Sequence, residues 1–103
     1  MKVLIVDDEP VVREVLRTVL SRAGYATSEA ATAAEGLALF ADPAVDLVLL
    51  DLMLPDRPGL SLLPELREKR PDVPVVVVTA YSSVETGIAA MKEGAFHYVP
   101  KPF

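Results

Sequence analysis

Apolar residues in this chain follow two rhythms. Three short runs are almost continuously apolar and rich in β-branched residues. They are Val3-Leu4-Ile5-Val6, Val45-Asp46-Leu47-Val48-Leu49-Leu50 and Val75-Val76-Val77-Val78. Runs this short, without polar alternation, read as strands buried on both faces, which is the habit of a parallel sheet. Between them the spacing changes to that of helices. Pro10 suits a first helical position, and Val12, Val15, Leu16, Val19, Leu20 and Ala23 then recur at 3.6-residue spacing. Gly24 is a left-handed stop. Residues 25–30 form a second strand, less apolar than the others and so placed at an edge. Thr32 with Glu35 three positions on is a capping box. It opens a helix on which Ala33, Gly36, Leu37 and Phe40 align, and Asp42-Pro43 ends it.

The loop Pro55-Asp56-Arg57-Pro58-Gly59 leads to a third helix carrying Leu62, Leu63 and Leu66. Pro64 is tolerated only where backbone N–H groups lack partners, in a first turn. That constraint predicts a late start with Ser61 as cap. Pro71 closes the helix. A second capping box, Ser82 with Glu85, opens the fourth, whose buried face is marked by Val84, Ile88 and Met91, and Gly94 stops it. Residues 96–99 form a fifth strand, and Lys101-Pro102-Phe103 follows. Five β units joined by four helical crossovers predict one doubly wound α/β domain over 1–103.

Composition narrows the function. The chain has 103 residues, 51% of them hydrophobic, with a formal net charge of −5 and no cysteine. An acidic domain repels nucleic-acid phosphates, so direct nucleic-acid contact is not expected. Disulfides and thiolate metal sites are excluded. No apolar run approaches the ~20 residues of a membrane span. The first apolar run is too short for a signal-peptide core. The expectation is a cytoplasmic location.

Each apolar run ends in chemistry. The first meets Asp7-Asp8, the second Asp51, the third Thr79. In open α/β sheets the ligand site lies outside the carboxyl ends of the strands. A lone carboxylate there is usually a cap or a solvated charge, and two acids before a helix also favour its dipole. Three carboxylates at one edge, however, repel one another and raise at least one pKa. A hard cation such as Mg²⁺ removes that conflict. Lys101, just past strand five, can reach a phosphoryl oxygen, and a cis bond to Pro102 would aim it inward. Thr79 is followed by the small Ala80, which leaves room for such a group. Met53 and Tyr81 flank the site. The set describes a place for a divalent cation and a phosphoryl group.

These residues resemble the receiver domain of bacterial two-component response regulators. The resemblance rests on Val-Asp-Asp-Glu-Pro at 6–10, Asp-Leu-Met-Leu-Pro at 51–55 with Gly59, Thr-Ala at 79–80, and Gly-Ala-Phe-His-Tyr-Val-Pro-Lys-Pro-Phe at 94–103. The last segment is most similar to receivers of the nitrogen-regulatory class, which precede σ54-dependent ATPase domains. The resemblance implies a flavodoxin-like strand order 2-1-3-4-5. It implies Asp51 as phosphoacceptor, Asp8 as a direct Mg²⁺ ligand, Asp7 as a ligand mainly through water, and the Met53 carbonyl as a further ligand. Thr79 and Lys101 would bind the phosphoryl oxygens, and Tyr98 would be an aromatic switch moving with Thr79. His97 stands where the family often has Asp. A sensor histidine kinase would supply the phosphoryl group. The output would be a transcriptional regulatory domain of the same natural protein, or a homodimer through the surface of helix four and strand five, including Ile88, His97 and Tyr98. Such a domain is a regulatory phosphoacceptor rather than an enzyme.

Receivers also continue into a fifth helix, which this chain lacks after Phe103. The expectation is a bare apolar strip beside helix one, on one face of strands one, three, four and five. Two rival functions make different demands on these residues. A Mg²⁺-dependent phosphatase using an aspartyl phosphate would carry a second acid where Met53 stands. A receiver-fold interaction module independent of phosphorylation would not need the intact set Asp51, Thr79 and Lys101.

Overall fold

The computed structural model describes residues 1–80 and 83–101. Nine elements alternate along the chain: β1 (Lys2–Val6), α1 (Pro10–Arg22), β2 (Ala26–Ala30), α2 (Ala33–Phe40), β3 (Val45–Leu50), α3 (Gly59–Lys69), β4 (Val75–Thr79), α4 (Val84–Lys92) and β5 (His97–Pro100). The strands form one sheet in the order β2-β1-β3-β4-β5, with every pairing parallel. The doubly wound fold and the edge position of β2 match the sequence reading. Among the described residues, no helix is long and apolar enough to cross a membrane.

The register sets up everything that follows. Val6 pairs with Ala30 on one side and Leu50 on the other, and Leu50 pairs with Val77. The residues after these partners are therefore delivered side by side. The Asp51 N–H donates to the Val6 carbonyl at 2.9 Å, and the Asp7 N–H to the Ala30 carbonyl at 3.0 Å.

The main core lies on one face of the sheet. Leu4, Val6, Val48, Leu50, Val75 and Val77 pack there against Phe40 of α2, Leu62, Leu63 and Leu66 of α3, and Ala90 of α4. Strand alternation sends the neighbouring residues to the other face. There Val3 and Ile5 are fully buried, while Leu47, Leu49, Val76 and Val99 are half-buried. No residue of α1 is fully buried, and Val15 and Val19 of its apolar stripe are exposed. Strand one thus has no share in the less covered strip.

Several local expectations needed revision. Helix α3 starts at Gly59, not after Ser61, and holds Pro64 in its interior. Ser61 is inside the first turn, with its hydroxyl donating to the Pro58 carbonyl at 2.6 Å. On α4 the residues Val84, Ile88 and Met91 are 80%, 51% and 49% exposed, and Ala90 is the buried one. That helix rests on the sheet through small residues: a Cβ at Gly87 would lie 3.9 Å from the Tyr98 ring. The α4 cap is Ser83, whose hydroxyl accepts the Thr86 N–H. The expected cap residue Ser82, with Tyr81, Pro102 and Phe103, lies outside the described residues. Thr32 caps α2 as expected, accepting the Glu35 N–H at 3.1 Å. The Glu35 carboxylate accepts from the Thr32 hydroxyl at 3.3 Å, so that contact joins the two side chains.

A candidate phosphoryl-transfer site at the carboxyl edge of the sheet

Asp51 follows the last residue of β3, in the middle of the sheet, and is only 2% exposed. The turn after it is held on three sides. The Met53 N–H donates to Asp51 Oδ1 at 3.1 Å. The Gly59 N–H donates to the Leu52 carbonyl at 2.8 Å. A Cβ on Gly59 would overlap the Asp51 carbonyl oxygen and come within 2.6 Å of Leu52 Cα, so only glycine fits there. Further out, Asp56 accepts the N–H groups of Ala33 and Ala34 at 2.9 and 3.0 Å. It thereby ties the loop to the positive N-terminus of α2. Those two hydrogen bonds hold the Asp56 carboxyl below its usual range.

Asp7 and Asp8 come from the β1–α1 loop. Asp7 is buried and Asp8 exposed. Asp7 Oδ1 accepts the Glu9 N–H at 2.9 Å, and the Asp7 carbonyl accepts from Arg13 Nη1 at 2.7 Å. Burial pushes the Asp7 carboxyl up, against the hydrogen bond from Lys101, and the Asp51 charge pushes it further. The repulsion expected from converging acids is therefore present, but second to desolvation.

Lys101 lies just beyond β5 and is brought in by its backbone, whose N–H donates to the Thr79 carbonyl at 2.9 Å. Its Nζ is 2.8 Å from Asp7 Oδ2, 3.0 Å from Asp51 Oδ2 and 3.2 Å from Glu9 Oε1. Burial would lower the pKa of this ammonium. The hydrogen bonds to Asp7 and Asp51 outweigh it and hold the lysine protonated well above its ordinary range. Thr79 is fully buried at the end of β4.

Tyr98 packs against the core from β5, facing α4, and burial pushes its phenol up. His97 does not share that face. It pairs with Val76, whereas Tyr98 pairs with the core residue Val77. His97 therefore points to the opposite side of the sheet.

Of the expected residues, Asp7, Asp8, Asp51 and Lys101 gather at one edge with Thr79 joined through the backbone, and Met53 approaches through its amide. Glu9 was missed as a member. Its carboxylate lies with those of Asp7, Asp8 and Asp51, all offering oxygens within 4.8 Å of one another. The signal was its place directly after the two acids. Asp56 was missed too, because its partners are 23 and 22 residues away. A set of carboxylate oxygens with no nitrogen or sulfur fits a hard divalent cation of the Mg²⁺ or Ca²⁺ kind. The same edge presents a buried carboxylate with an ammonium beside it, which suits a nucleophile and a group to stabilise charge on its product.

Residues 3–103 match the family described as "Response regulator receiver domain". The chain is 44% identical over 101 residues to the response regulator protein PilR of Pseudomonas aeruginosa, covering 98% of this chain and 23% of that relative. It is 41% identical over 101 residues to the DNA-binding transcriptional regulator NtrC of Rhizobium meliloti, covering 98% of this chain and 21% of that one. The chain thus spans less than a quarter of these relatives, and the likeness to the nitrogen-regulatory class is borne out. A crystal structure of a response regulator from Burkholderia pseudomallei superposes with a TM-score of 0.93 at 35% identity, covering 99% of this chain and 60% of that one. That protein carries a phosphorylated aspartic acid, a calcium ion and citrate.

Proposed function

Given that this chain belongs to the response regulator receiver family, we propose that it is the phosphorylation switch of a two-component system, with Asp51 as the phosphoacceptor. The observation that carries the reading is the buried Asp51 carboxylate bridged to Asp7 through the Lys101 ammonium. A sensor histidine kinase presents a phosphohistidine. An Asp51 oxygen attacks phosphorus, the P–N bond breaks, and its electron pair leaves on the imidazole nitrogen. The product is an acyl phosphate, adding about −1.5 to −2 charge at the strand end. Lys101 and the Thr79 hydroxyl hold the phosphoryl oxygens. Asp8, Asp7, Asp51 and the Met53 carbonyl would hold Mg²⁺, which supplies charge neutralisation at the phosphoryl oxygens.

The readout is a change of surface. Tyr98 lies on the strand next to Thr79 and under Gly87 of α4. Thr79 moving toward the phosphoryl group gives the ring room to turn inward. Coupling of this kind is typically worth ~1–3 kcal/mol, enough to bias partner choice at α4 and β5. That surface uses Ile88 and Tyr98 but not His97, and it serves an output domain in a longer regulator or a second copy. The buried Lys101–Asp51 pair favours this reading over a phosphorylation-independent interaction module.

The test is labelling by acetyl phosphate with and without Mg²⁺. The wild type should take one hydroxylamine-labile phosphoryl group only with Mg²⁺, and Asp51→Asn should take none. Equal labelling of Asp51→Asn would end the assignment.

A further inference from the structure

Lys101 has three donors and three carboxylates to receive them. Two belong to residues already assigned, Asp7 and Asp51. The third, Glu9, is different in kind. It is 56% exposed at the mouth of the site, while the Lys101 side chain is only 8% exposed. Its backbone N–H is held by Asp7 Oδ1, so the carboxylate is fixed at both ends, by its own main chain and by the ammonium. Glu9 lies one residue before Pro10, whose ring starts α1, which leaves that main chain little freedom.

Accepting a phosphoryl group on Asp51 requires Lys101 to let go of Asp51 Oδ2 and take a phosphoryl oxygen. In a nearly buried place, an ammonium that loses a partner before it finds the next is strongly disfavoured. Glu9 is the partner that need not change. We propose that Glu9 is a positioning residue for Lys101. It keeps the ammonium at the rim of the site while the inner contact passes from the Asp51 carboxylate to the phosphoryl group. This rests on the phosphoacceptor reading of Asp51 and adds to it a residue that acts through Lys101 rather than on phosphorus.

The competing roles for Glu9 are a direct cation ligand and a charge that merely repels anionic donors. Neither depends on Lys101, and that separates them from the proposal. The first measurement is made on the metal-free protein, by following exchange of the Lys101 ammonium protons with water by nitrogen-15 NMR. Glu9→Gln should speed that exchange about fivefold, because the ammonium then meets a neutral amide oxygen in place of an anionic one. An unchanged rate overturns the proposal.

The second measurement is the rate of labelling by acetyl phosphate at saturating Mg²⁺. Glu9→Gln should slow it about tenfold, less than the ~100-fold that a 1 Å misplacement of a reacting group can cost. The slowing should vanish when Glu9→Gln is made in a Lys101→Ala background. A rate unchanged or raised by Glu9→Gln overturns the proposal, as does equal slowing with and without Lys101. Should Lys101→Ala take no label at all, the ammonium exchange decides. If the wild type takes no label, the phosphoacceptor reading itself has failed. If the wild type labels but is indifferent to Glu9, only the positioning role has.

Discussion

Leu50 ends β3 and Asp51 is the next residue, one fully buried and the other nearly so, yet burial does opposite things to them. Leu50 belongs to the face packed by α2, α3 and α4, where removing apolar surface from water stabilises the fold. Asp51 belongs to the carboxyl edge, where taking charges out of water costs stability unless they are paired. The same strands thus carry a region that holds the protein together and a region that the protein has to hold together. The difference shows in what each asks of its surroundings. The core needs only volume and shape. The edge needs specific partners: Lys101 on Asp7 and Asp51, the Met53 amide on Asp51, and the Glu9 amide on Asp7.

The sharpest test of this contrast is Leu63→Ala in the core. Leu63 is fully buried against the sheet, and its truncation should cost about 2–5 kcal/mol in urea unfolding. A cost below that range would mean that the packed face is not where stability resides. Gly59→Ala lies on the border between the regions. The added methyl overlaps the Asp51 carbonyl, and overpacking of this kind costs about 1–3 kcal/mol. It should also depress labelling of Asp51, because the strand end has to shift. Normal labelling with full stability would contradict the close approach.

The smallest effect has the opposite sign. Asp7→Asn should raise the stability of the metal-free protein slightly. It should do so while weakening Mg²⁺ binding. The folded-state pKa of Asp7 is raised above its unfolded value of 3.8, chiefly by desolvation. The folded protein therefore holds this proton more tightly than the unfolded chain does, and stability falls as pH rises from 3.8 through the folded value. The gain from Asp7→Asn should grow across that window and then stay level. A variant less stable than wild type at pH 7 would show that Asp7 contributes more as a partner of Lys101 than its burial costs.

Much of this could be read from the chain. Strands announced themselves because residues buried on both sides leave no polar alternation. The site announced itself because each such run stopped at Asp7, Asp51 or Thr79. What could not be read has a common cause. On α4 the large residues Val84, Ile88 and Met91 gave the stronger apolar period, yet the helix approaches the sheet through Gly87 and Ala90. Small residues allow close packing but carry little hydrophobic signal, so periodicity alone picked the wrong face. Helix α3 began early because Gly59 was needed against the Asp51 carbonyl, a contact made in three dimensions. The Asp56 tie to α2 and the Glu9 contact to Lys101 span 23 and 92 residues, beyond any local pattern. His97 was misplaced by treating neighbours in a strand as neighbours on a surface.

The span from Glu9 to Lys101 has a meaning for how the protein is made. Synthesis delivers Asp7, Asp8 and Glu9 first and Asp51 midway, while the ammonium that contacts three of them arrives only with the segment after β5. A nascent chain that has emerged as far as Thr79 already carries every carboxylate of the site and none of its lysine. Assembly of the charge cluster therefore has to wait for the segment after β5, and a closed Lys101 contact reports that this strand has docked.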